Sequence, residues 1–85
     1  MKKNIRVIMV EDHPDYREGI RFALETVEDI ELAQTFGTAE RALRNIQDSK
    51  KNTTPDVVLL DLNLPGMSGL EAIPWFREYV PKIHL

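Results

Sequence analysis

The stretch Asp56-Val57-Val58-Leu59-Leu60-Asp61-Leu62-Asn63-Leu64-Pro65-Gly66-Met67-Ser68-Gly69 constrains this chain more than any other. Its four consecutive aliphatic residues between acids read as a strand buried on both faces, because a half-exposed strand would alternate apolar and polar positions. Pro65-Gly66 then turns the chain, and Gly69 relieves the backbone before a helical pattern begins. Asp61 is therefore expected at the carboxyl end of a central parallel strand, the edge at which open α/β sheets bind ligands.

The rest of the chain repeats this arrangement. A first strand over 5–10 is nearly all apolar and also ends in acids, Glu11 and Asp12. Pro14 suits the first position of a helix over 14–27, whose stripe Tyr16, Ile20, Ala23, Leu24 and Val27 has the spacing of a helix packed on a sheet. Gly19 weakens that helix or permits a close approach. A strand over 30–36 alternates at Ile30-Glu31-Leu32-Ala33, as an edge strand with one wet side does. Thr38 is the expected N-cap of a helix over 39–48 with the stripe Ala39, Ala42, Leu43 and Ile46.

Gln47 to Pro55 is polar and aperiodic, a surface connection that takes in the last turn of that helix and Lys50-Lys51. After the third strand, over 56–61, Ser68-Gly69-Leu70-Glu71 has capping-box spacing and opens a helix over 69–79. Leu70, Ile73, Phe76 or Arg77, and Val80 are its expected inner face. Pro74 inside it predicts a kink or local widening. A fourth strand is expected from 82. This βαβαβα order, with right-handed crossovers, gives an α/β fold with helices on both faces of a parallel sheet and strands one and three as neighbours.

An 85-residue chain supports one domain, and a chain of this size buries roughly 60–65% of its unfolded surface. With 42% hydrophobic and 29% charged residues it has neither a disordered nor a membrane-spanning composition. The apolar run after Met1-Lys2-Lys3 is too short for a signal peptide and contains Arg6, which favours a cytoplasmic protein. Cysteine is absent, so disulfides and thiolate chemistry are excluded. A net charge of −3 argues against nucleic-acid binding by this chain itself.

With strands one and three side by side, Glu11, Asp12 and Asp61 emerge at one rim. Three anions there repel, and either raise pKa values or recruit a cation. Carboxylates, a backbone carbonyl and waters are hard oxygen ligands suited to Mg²⁺, with Mn²⁺ as a substitute. A metal-bound aspartate is also a candidate nucleophile toward phosphorus, giving an aspartyl phosphate. His13 and His84 are expected to be loop and strand residues rather than ligands, and Trp75 and Phe76 to be packing residues. Gly66-Met67-Ser68-Gly69 lacks the lysine and glycine spacing of a P-loop.

Val10-Glu11-Asp12 and the segment from Asp56 to Glu71, each built on an apolar strand, together resemble the receiver domains of two-component response regulators. Val10-Glu11-Asp12-His13-Pro14 and Arg17-Glu18-Gly19 are similar to the subgroup whose receivers precede a helix-turn-helix DNA-binding domain. The resemblance implies a flavodoxin-like doubly wound sheet of strand order 2-1-3-4-5, here an incomplete receiver domain over 1–85 that stops as strand four begins. It implies that Asp61 accepts a phosphoryl group from a sensor histidine kinase or a small phosphodonor. Asp12 would bind Mg²⁺ directly, Glu11 through water, and the backbone carbonyl of Asn63 would complete the protein ligands, while Pro65, Gly66 and Gly69 shape the loop.

Receivers also carry a hydroxyl residue after strand four and a lysine after strand five, which sense the phosphoryl group. Both fall beyond Leu85, so the expected signalling output of this piece is lost and DNA binding would require an output domain not in these residues. An uncovered sheet edge predicts either self-association, by pairing or by swapped elements, or that these residues are part of a longer protein. The leading reading is a phosphoacceptor module and not a turnover enzyme. One alternative is a Mg²⁺-dependent aspartate-nucleophile phosphohydrolase, although such enzymes carry an acid two residues after the nucleophile, where this chain has Asn63. A packing or dimerisation fragment without phosphotransfer is the other.

Overall fold

The structure is a computed structural model that describes residues 4–48, 54–81 and 83–85. Met1-Lys2-Lys3, most of the polar connection around Lys50-Lys51, and Lys82, where a fourth strand is expected to begin, lie outside the described residues. The elements run β1 (Ile5–Val10), α1 (Pro14–Glu25), β2 (Ile30–Phe36), α2 (Ala39–Asp48), β3 (Val57–Leu60) and α3 (Gly69–Tyr79). Among the described residues no helix is long and apolar enough to cross a membrane.

The sheet is parallel and ordered β2-β1-β3. The centre is thus β1, and among the described residues a single parallel bridge, from Val57 to His84, lies beyond β3. Two bonds make that bridge, from Val58 N–H to the His84 carbonyl at 2.8 Å and from His84 N–H to the Asp56 carbonyl at 3.0 Å. The register shifts between Val7 and Ile8, whose partners are Leu32 and Gln34, so Ala33 is an extra residue on the edge strand. Asp56 and Asp61 flank β3 but still bond to β1, through Asp56 N–H to the Arg6 carbonyl at 2.8 Å and Asp61 N–H to the Val10 carbonyl at 3.1 Å.

Alternation of side chains divides the sheet into two unequal faces. On one, Ile8, Val10 and Val58 join Ala39, Ala42, Leu43 and Ile46 of α2 and Ala72 and Phe76 of α3 in a single core. The α2 stripe expected from the sequence is the buried one. In α3 the inner face is Gly69, Ala72 and Phe76, continued by Val80, whereas Leu70 is 64% exposed and Ile73 only half-buried. The expected Leu70-Ile73 face is wrong because the backbone of Gly69 packs directly on the end of β3, which rotates the next residue outward. The helix runs unbroken through Pro74.

The other face carries α1, and there the expected packing fails. None of the residues of α1 is buried: Tyr16 is 65% and Phe22 72% exposed, Ile20 is exposed too, and so is Val27 beyond the end of the helix. Val7 and Met9 beneath are buried, but Leu59 on β3 is 37% exposed, so β3 is not covered on both faces. A lone helix over three strands covers the strands nearest it and leaves the flank beside it open. Gly19 permits no close approach, since nothing lies within 4 Å of where its side chain would be.

α1 also ends earlier than its apolar stripe. Thr26 and Val27 N–H groups bond the Ala23 and Leu24 carbonyls at 3.4 and 3.1 Å, three residues back, and the Thr26 hydroxyl donates to Ala23 O at 2.8 Å. This tightened turn closes the helix. Asp29, at φ 72°, then reverses the chain into β2, a conformation aspartate tolerates.

The two faces give opposite mutational expectations. Phe76→Ala empties a fully buried position and should cost about 3–5 kcal/mol, enough to unfold much of a domain this small. Phe22→Ala should stay within about 0.5 kcal/mol, as exposed substitutions do. Urea midpoints of the two variants check both.

Candidate functional site: an acidic rim on adjacent strand ends

The site is a direct product of the β1–β3 register. Val10 pairs with Leu60, so the next residue of each strand, Glu11 and Asp61, leaves the sheet beside the other. The Asp61 N–H bond to Val10 O holds the two strand ends together, and the Glu11 N–H donates to the Phe36 carbonyl of β2 at 2.9 Å. Asp12 follows in the turn to α1. The structure brings the three acids together as the sequence predicts: one carboxylate oxygen from each of Glu11, Asp12 and Asp61 lies within 4.8 Å of the others. Glu11 and Asp61 are partly buried and Asp12 is exposed.

The Glu11 carboxyl is displaced upward from its ordinary pKa, first by burial and then by its neighbours. Partial burial pushes its carboxyl above the usual value, the His13 N–H bond opposes this, and the hydrogen bond and negative charge of Asp61, then the charge of Asp12, add to the rise. The His13 N–H donates to Glu11 Oε2 at 3.1 Å, and Arg17 donates to the Glu11 backbone carbonyl at 3.2 Å. The donor set is all oxygen and anionic, which fits a hard divalent cation better than a soft one.

Asn63 enters the site through its backbone, its N–H donating to Asp61 Oδ1 at 3.0 Å. This Asx-type turn fixes the Asp61 carboxylate and begins the loop into α3. Gly66 has φ 71° and Gly69 is packed on the strand end: a side chain there would collide with the Asp61 carbonyl and lie 2.7 Å from Leu62 Cα. Both parts of the expected capping box are formed, Ser68 Oγ accepting from Glu71 N–H at 3.1 Å and the Glu71 carboxylate from Ser68 N–H at 3.4 Å. Thr38 likewise caps α2, accepting from Arg41 N–H at 3.2 Å.

Two contributors escape sequence reasoning. Glu40 Oε2 accepts the Met67 N–H at 3.1 Å and so braces the loop from α2, while Arg17 reaches back to Glu11 from α1. The only sequence signal for Glu40 is its place in the first turn of a helix, which the macrodipole alone explains. His13 meets the acids only through its backbone N–H, its ring being stacked on Tyr16 at 4.5 Å, and His84 serves the bridge to β3.

Residues 7–85 match the response regulator receiver domain family. The chain belongs to that family. It is 37% identical over 81 residues to the transcriptional regulatory protein MctR of Rhizobium johnstonii, covering 95% of this chain and 36% of that protein. A two-component response regulator of the LuxR family from Aurantimonas superposes with a TM-score of 0.81 at 33% identity, over 95% of this chain and 55% of that one. The isolated REC domain of RcsB from Salmonella enterica serovar Typhimurium, in the presence of the phosphomimetic BeF3-, gives a TM-score of 0.82 at 26% identity, over 95% and 58%. The fold is the flavodoxin-like receiver fold, and the chain spans little more than a third of the length of MctR.

Gly69→Ala tests how the loop is held. Its new methyl group meets backbone, which cannot rotate away, so the loop must shift off the end of β3 at a cost of roughly 1–3 kcal/mol. Chemical denaturation gives the stability change, and the Asn63 amide resonance should move with loss of its bond to Asp61.

Proposed function

We propose that this receiver domain is a stoichiometric phosphoacceptor, with Asp61 taking a phosphoryl group from the phosphohistidine of a sensor histidine kinase or from a small phosphodonor. The observation that carries the reading is the meeting of Asp61 with Glu11 and Asp12 at adjacent strand ends in a chain of this family. One Asp61 carboxylate oxygen is engaged by Asn63 N–H, which orients the group and leaves the other oxygen to attack phosphorus. The new P–O bond forms an acyl phosphate as the P–N bond to the donor imidazole breaks.

Asp12, Asp61 and the Asn63 backbone carbonyl would hold Mg²⁺ directly, and Glu11 through water. When bound, the ion supplies positive charge that offsets the carboxylates and the transferring phosphoryl oxygens. The remaining work is positioning, done by the β1–β3 register and the loop that Gly69 and Glu40 anchor. Asn63 occupies the place where an aspartate-nucleophile hydrolase carries its second acid, and an amide cannot donate a proton in that role. This favours a persistent phospho-species over turnover. The kinase partner implies a cytoplasmic site of action, and transcriptional control, suggested by the name of MctR, would use DNA contacts made outside residues 1–85.

Incubation with Mg²⁺ and acetyl phosphate should give a slowly decaying phospho-species by intact mass, absent in Asp61→Asn. Steady phosphate release over many turnovers would instead establish a hydrolase, and no adduct in either protein an inert packing unit. Mg²⁺ should also raise the melting temperature, by the equivalent of about 2.7 kcal/mol at a hundredfold excess over Kd. Asp12→Asn should remove most of that gain in a thermal scan.

A further inference from the structure

Four of the six arginines in this net-acidic chain line one groove. Arg17 and Arg21 come from α1 on one face of the sheet, and Arg41 and Arg44 from α2 on the other. Between them the groove floor is the end of β2, Thr35 to Gly37, and its volume is about 810 Å³. β2 is the edge of the sheet among the described residues, so its outer side has no strand beside it. The Phe36 carbonyl points inward to Glu11 N–H, and alternation along the strand turns the N–H and C=O of Thr35 toward the open edge.

The cations are available. Among the described residues neither Arg41 nor Arg44 has an ion pair, and both are exposed. Arg17 spends one of its five donors on Glu11 O, and Arg21 meets Glu18 only at 3.7 Å. Glu40, which also lines the groove, is turned to Met67 N–H.

We propose that this groove binds an acidic peptide segment in extended conformation, added as a strand along the outer edge of β2. The arrangement of charge selects such a ligand. Arginines stand above and below the sheet plane, and an extended strand sends successive side chains alternately to those two sides, so consecutive carboxylates reach both pairs. Guanidinium groups match carboxylates two bonds at a time. Glu18 and Asp48, interspersed among the arginines, repel a dense polyphosphate or nucleic-acid backbone but tolerate carboxylates spaced along a peptide. The surface is separate from the acidic rim and does not depend on Asp61 being phosphorylated.

The test uses the intact protein and fluorescein-labelled hexaglutamate, with fluorescence anisotropy as readout. Saturable binding that weakens with salt is expected, falling at least tenfold in Arg41→Glu/Arg44→Glu and unchanged in Arg77→Glu, on α3 outside the groove. Thr35 amide exchange should slow on peptide addition, and hexaglutamate methylated on alternate backbone nitrogens should bind at least tenfold more weakly. The proposal is overturned by absence of saturable binding, by an equal loss in Arg77→Glu, by indifference to backbone methylation, or by inorganic tripolyphosphate binding more tightly than the peptide. Circular dichroism of each variant establishes that losses are not unfolding, and the exchange measurement on the unaltered protein stands without any variant.

Discussion

The 3.1 Å bond from Asp61 N–H to the Val10 carbonyl ties β3 to the centre of the sheet, and the meeting of the three acids depends on the register it completes. Val10 and Val58 are fully buried and Met9 nearly so, which pins β3 against β1 by its side chains as well as its ladder. A slip of one residue would carry Val58 from the core to the open face, so the hydrophobic pattern forbids it. The three carboxylates are therefore held together by apolar packing a few residues away. Partial burial of Glu11, with the neighbouring acids adding to it, raises its pKa, and that cost is one the core absorbs.

The loop after β3 translates that register into a fixed carboxylate. Asn63 N–H engages Asp61 from two residues downstream, while Gly69 lets α3 start against the strand it has just left. Ser68 and Glu71 satisfy the first turn of α3, and Glu40 arrives from α2 to take the Met67 N–H. Strand end, loop and two helices thus share backbone hydrogen bonds within a few residues of Asp61. A change at Glu40 or Gly69 reaches the carboxylate through covalent and hydrogen-bonded neighbours, with no contact to a ligand.

What was legible in the sequence followed from periodicity and local chemistry. The strand limits at Ile5 to Val10 and Ile30 to Phe36, the α2 stripe, the Thr38 cap and the Ser68-Glu71 box are properties of short windows, and the structure has them. The meeting of Glu11, Asp12 and Asp61 required one further step, the adjacency of the two most apolar strands. Failures came where the outcome depends on what lies across a face. The stripe on α1 has the spacing of a packed helix, yet burial needs neighbours that spacing cannot report. On α3 the expected Phe76 and Val80 are buried, but the Gly69 backbone contact turns the first turns so that Ala72, and not Leu70 or Ile73, completes the inner face.

The distribution of charge follows the same architecture. Parallel β/α units send every strand end to one rim, which concentrates acids from separate parts of the sequence at β1 and β3. They also place consecutive helices on opposite faces around the edge strand, which concentrates the arginines of α1 and α2 about β2. A net charge of −3 thus conceals two regions of opposite sign joined by one residue: Arg17 lines the groove and donates to the backbone of Glu11. Because that bond goes to a carbonyl and not to the carboxylate, Arg17 steadies the turn without neutralising the site. The rim keeps its excess of negative charge while the groove keeps its excess of arginines.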